Sequence, residues 1–152
     1  MVYGQSTPLA DHHQHLFSPA VTKLSTALNP ITASDVVSLL DAAGIERAVV
    51  LSAAYMFGSP NRAVENEYVK VKAENDWTSQ QVGRFPNRLI GFCSFNPLRE
   101  YALEELARCA KDPRLRAGLK LHFEIGLSTR RKSHSIVRDN SNKWRIPSFS
   151  KG

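Results

Sequence analysis

The chain alternates between short apolar runs and longer amphipathic stretches, with a regular beat. Residues 9–16 predict a first strand. Residues 32–44 predict a helix, because Val36, Val37, Leu39, Leu40 and Ala43 fall at helical spacing. Ser34 is a suitable N-cap for it, and Gly44 a suitable stop. Residues 46–53 follow as a continuous apolar run, the kind buried on both faces of a parallel sheet. Residues 62–83 are charged and helix-permissive, ending near Gly83 with Pro86 beyond. Residues 88–95 predict a third strand. Asn96-Pro97 predicts the start of a helix with proline at its first position, running to about Lys111 and stopped by Asp112-Pro113. Residues 115–123 predict a fourth strand.

This β-α-β-α-β-α-β order with short connections implies an α/β fold with parallel strands and right-handed crossovers. A doubly wound sheet and a (β/α)8 barrel both fit. No glycine-rich loop follows any strand, which argues against a nucleotide-binding doubly wound fold. The histidines favour the barrel: His15 falls near the C-terminal end of the first strand and His122 near that of the fourth, the edge where barrels carry their chemistry. After Gly126 the pattern stops. Residues 127–152 have neither a helical nor a strand period and are rich in Ser, Arg and Lys, so they predict a disordered or weakly structured basic tail behind a 1–126 domain.

Charge sharpens that division. Residues 1–126 carry thirteen basic and thirteen acidic side chains, whereas 127–152 carry seven basic and one acidic, so the whole net charge of +6 sits in the tail. The body therefore has no electrostatic pull on phosphates, and a nucleic-acid partner is not expected. Stacking of RNA bases on Trp144 and Phe149 of the tail is conceivable, but the neutral body argues against it. No apolar run approaches the ~18 residues of a membrane span, and the N-terminus lacks the pattern of a signal peptide. Cys93 and Cys109 have no metal or redox spacing, so buried free thiols in a reducing, cytoplasmic setting are the expectation.

The candidate chemistry is concentrated in Asp11-His12-His13-Gln14-His15. On a regular strand Asp11, His13 and His15 share one face, and His12 and Gln14 the other. Two neutral imidazoles one strand-step apart can chelate a Zn²⁺-like ion. A surface histidine cluster or a tag is the plainer alternative, but a tag would be uninterrupted and would not be bounded by Leu9, Leu16 and Phe17.

Asp11-His-His-Gln-His15 resembles the Asp-x-His-x-His signature on the first strand of amidohydrolase-superfamily barrels, and its surroundings resemble the amidohydrolase-related group of small hydrolases and decarboxylases. Asn75-Asp-Trp-Thr78 is similar to a segment of that group's second helix. Residues 85–97, Phe-Pro-Asn-Arg-Leu-Ile-Gly-Phe-Cys-Ser-Phe-Asn-Pro, resemble its run into the third strand, and residues 117–122, Ala-Gly-Leu-Lys-Leu-His, its fourth strand. The resemblance covers about residues 9–125. It implies a metal-dependent hydrolase acting on small carbonyl or carboxylated substrates, or in some branches a decarboxylase. By position His13 and His15 would be the two first-strand ligands of a divalent metal, expected to be zinc, with Asp11 in a supporting role. On the fourth strand Lys120, His122 and Glu124 would share one face and are the candidate catalytic residues; His134 falls in the tail and is most simply solvated.

A complete barrel takes roughly 250 residues, and four strands account for half of one. The segments on which the family carries its further histidines and its aspartate have no counterpart here. The sequence therefore predicts the N-terminal half of a (β/α)8 barrel, truncated or with an alternatively read C-terminus, binding metal weakly and turning over substrate negligibly. A different class of function also fits: a non-catalytic half-barrel that assembles with a partner, such as a homodimer joined through its open sheet edges.

Overall fold

The computed structural model describes residues 8–122, together with the backbone of 137–138 and 144–145. Four parallel strands, β1 (Ala10–His15), β2 (Arg47–Leu51), β3 (Leu89–Ser94) and β4 (Leu119–Lys120), lie side by side in sequence order. Between them run a short helix α1 (Pro19–Thr22), α2 (Ala33–Ala43), α3 (Glu67–Gly83) and α4 (Ala102–Lys111). This is the first half of a (β/α)8 barrel, as the alternation predicts. Val36, Val37 and Leu40 of α2 and Val82 of α3 pack on Ala48, Val50 and Leu89 of the sheet's outer face. A second cluster joins Val71 of α3 and Cys109 of α4 to Cys93, Phe95 and Leu115.

Several boundaries differ from the sequence reading, each for a local reason. The N-cap of α2 is Thr32, not Ser34: the Thr32 hydroxyl accepts from the Asp35 N–H, and the Asp35 carboxylate accepts from the Thr32 N–H at 2.8 Å, a reciprocal capping box. The stop at Gly44 is as expected, with φ 69° in the left-handed region. Helix α3 begins only at Glu67. Pro97 does not open α4, which starts at Ala102, because the Asn96 side chain closes a turn there: its Oδ1 accepts from Leu98 N–H at 2.9 Å and its Nδ2 donates to Gly58 O at 2.7 Å. The fourth strand shrinks to two residues. Asp112 accepts from Arg114 N–H, Leu115 is buried in the turn that follows, and the Phe92 ring lies where a Cβ on residue 118 would be, so only glycine fits there.

The expectation of free thiols is overturned. Cys93 and Cys109 are joined by a disulfide with Cα atoms 6.1 Å apart. They are 16 residues apart in sequence, but β3 and α4 are successive elements of one β-α unit and their inner faces meet. Among the described residues no helix is long and apolar enough to cross a membrane. In the C-terminal segment, β5 (Val137–Arg138) and β6 (Trp144–Arg145) pair antiparallel; the disorder expected of the rest of that tail lies outside the described residues.

Candidate metal centre and pocket

Strand β1 is not regular. Asp11 pairs with Ala48 and Gln14 with Val50, so a bulge places one extra residue between them. The bulge corrects the simple alternation: Asp11 does not stand beside the two imidazoles but turns to Gln14, whose Nε2 donates to it at 2.6 Å, while its other oxygen accepts from the His13 N–H at 2.9 Å. These two hydrogen bonds hold the Asp11 carboxyl below its ordinary range, the backbone one more than the side-chain one. Asp11 therefore braces the bulge, a supporting role of the kind the resemblance implied.

His13 and His15 do come together. Their ring centroids lie 5.1 Å apart, edge to face. Two imidazoles on one tetrahedral ion, each with its centroid ~3.2 Å from the metal, would have centroids about 5 Å apart, so the spacing suits a shared divalent cation. His15 is held by Leu51 at the end of β2: its Nδ1 lies 2.8 Å from the Leu51 carbonyl oxygen. As the donor in that bond, Nδ1 carries the proton and leaves Nε2 as the ligand atom, the usual support of a metal-binding histidine. Burial is the largest influence on this imidazole and lowers its pKa; the Leu51 bond opposes it, and His13, Lys120 and His122 lower it further. Its neutral form, the one that binds metals, is thereby favoured. Among the described residues no third His, Cys, Asp or Glu places a ligand atom close to both imidazoles. The residues present thus fit a divalent ion as half of a coordination shell.

Lys120 and His122 reach the same edge. Lys120 pairs with Ser94 at the end of β4, and His122 follows just beyond the strand. The His122 ring stacks on Tyr55 at 4.8 Å, and Tyr55 lies 6.5 Å from His15, so the imidazoles and the phenol form one continuous wall. The Nδ1 of His122 is buried and has no hydrogen-bond partner among the described residues. Glu124 and His134 lie outside the described residues. A pocket of about 260 Å³ opens beside this wall, lined by Tyr55, Met56, Ser59, Asn61, Arg62 and His122. Sequence reasoning missed Tyr55, Asn61 and Arg62. Their signal was positional: they sit in the loop that follows the second strand, at the edge where a barrel builds its site.

Neither a protein-family model nor a curated protein sequence matches the chain. Two solved structures share its fold. One is 2,6-dihydroxybenzoate decarboxylase from Rhizobium, with a TM-score of 0.59 and 22% identity over 75% of this chain. The other is 5-carboxyvanillate decarboxylase LigW from Sphingomonas paucimobilis, with a TM-score of 0.52 and 18% identity over 72% of this chain. At these identities the likeness is one of fold, and the fold is the barrel that the sequence resemblance implies. The chain spans 38% and 41% of their lengths, so it shares part of their fold.

Proposed function

We propose that this chain carries the N-terminal half of a metal-dependent active site for a small aromatic carboxylate, and that decarboxylation is the reaction such a site serves. The observation that carries the proposal is the His13–His15 pair set beside a pocket lined by a cation and by an imidazole nitrogen that no described residue partners. Both structural neighbours are decarboxylases, which favours that reaction over the hydrolysis first expected. His13 and His15 would hold the ion, and a divalent metal supplies a Lewis acid that polarises a carbonyl or carboxylate oxygen. Arg62 is the cation in the pocket lining and can pair with a substrate carboxylate in a fork-to-fork manner. The Tyr55–His122 stack offers a flat wall to an aromatic ring, and His122 Nδ1 is the group placed to exchange a proton.

The described residues offer two imidazoles to the ion and no carboxylate fixed beside them. Negligible turnover is therefore expected of this chain by itself, with zinc or without, and binding is the informative measurement. Calorimetric titration of the zinc-loaded chain with 2,6-dihydroxybenzoate should give saturable binding that weakens about tenfold or more in Arg62→Ala. Equal affinity in wild type and Arg62→Ala would overturn the assignment of the pocket.

A further inference from the structure

The proposed function leaves the buried acid Glu74 unused. Glu74 of α3 is only 2% exposed. One of its carboxylate oxygens accepts from the Ser18 hydroxyl, while the other, Oε1, is buried with no hydrogen-bond partner among the described residues. Leaving such an atom unpaired is costly, so a complementary group gains by reaching it. Glu74 lies in a cavity of about 390 Å³ between α1 and α3, separate from the pocket at the strand ends. Phe57, Ala73 and Trp77 form apolar walls, and the exposed Lys23 and Lys70 stand at the open side. The volume is at the small end of the range for ligand sites.

We infer that this outer cavity is a second binding site, for a small single-ring ligand with a hydroxyl at one end and a carboxylate at the other. The chemistry follows from the lining. The ring packs on Trp77 and Phe57, and the hydroxyl meets the unpaired Glu74 oxygen. The anionic end remains at the open side with the two lysines, which disfavour a cation there. Met56, in the short 3₁₀ turn Ala54–Met56, lines the inner cavity, and its neighbour Phe57 lines the outer one. The inference stands apart from the metal centre and does not need it.

The test uses the full chain with Trp144→Phe, which leaves Trp77 as the single tryptophan reporter. Titration with 4-hydroxyphenylacetate should give a saturable change in Trp77 emission. Phenylacetate, which lacks the hydroxyl, should bind about tenfold more weakly, and tyramine, which keeps the hydroxyl and reverses the charge, weaker still. Ala73→Phe, an exposed helix position that narrows the cavity, should abolish the response, and Arg62→Ala in the inner pocket should leave it intact. Three results would overturn the inference: no saturable response to any probe, tyramine binding best, or a response lost in Arg62→Ala but kept in Ala73→Phe.

Discussion

Asn75 offers the sharpest test of how the half-barrel is held together. Its side chain is fully buried between α3 and β3 and makes three hydrogen bonds. Nδ2 donates to Ser94 O at 2.9 Å and to Glu105 Oε1 at 2.7 Å, while Oδ1 accepts from Ser94 N–H at 3.2 Å. Glu105 is itself buried and is gripped by Arg108 through Nε at 2.8 Å and a terminal nitrogen at 2.7 Å. Truncation in Asn75→Ala removes two bonds worth about 1 kcal/mol each and one charge-assisted bond worth about 2, for a loss of about 4 kcal/mol. That is a large share of the ~5–15 kcal/mol that holds a domain of this size. Asn75→Asp keeps the shape but points a carboxyl oxygen at two acceptors, Ser94 O and Glu105 Oε1. At pH 8 it should cost at least as much as the alanine. The new carboxyl would have its pKa raised by Glu105, so its stability should be better at pH 5 and be lost as pH rises through that raised value. Urea unfolding at the two pH values measures both effects. A loss under 1 kcal/mol in Asn75→Asp at pH 8 would refute the reasoning, because shape alone would then be holding the strand.

Further predictions follow from the same packing. Reduction of Cys93–Cys109 should cost about 3 kcal/mol, the loop entropy of a 16-residue separation, by urea unfolding with and without dithiothreitol; non-reducing peptide mapping should return the two cysteines as one linked peptide. Burial raises the Glu74 pKa, with the Ser18 bonds opposing the shift, so its contribution to stability is present below the ordinary glutamate pKa and is lost as pH rises through the elevated value. Glu74→Gln should flatten that dependence and be the more stable chain at pH 8, whereas parallel pH curves for the two would contradict the buried-acid account. Thr32→Ala should cost about 1 kcal/mol by removing the capping box, and Ser34→Ala much less, which separates the actual cap from the one the sequence suggested.

Strand order and the meeting of His13 with His15 were legible because their signals are local. The apolar runs at 46–53 and 88–95 and the spacing of His13 and His15 stand in the sequence itself. What escaped were features that depend on partners far along the chain. The buried stripe of α3 is Val71, Glu74, Asn75, Thr78, Ser79 and Val82, at helical spacing but mostly polar, so a search for apolar periodicity passes over it. Its polar atoms answer to Ser18, Ser52 and Ser94 on other elements. The disulfide was hidden in the same way, since the pairing of Cys93 with Cys109 depends on how α4 folds back on β3. The bulge in β1 is invisible to a strict period of two, and it decides that Asp11 braces the strand instead of standing beside the imidazoles.

Metal content by equilibrium dialysis and mass spectrometry, on the full chain and on three single variants, tests the central claim most directly. With zinc held in excess in the dialysis buffer, wild type and His12→Ala should each bind about one equivalent, weakly, because two imidazoles fill only half of a tetrahedral shell and His12 is not one of them. His13→Ala and His15→Ala should each lose it. Retention of the ion by both would show that the first strand does not build the metal centre, and an equal loss in His12→Ala would contradict the pairing of His13 with His15.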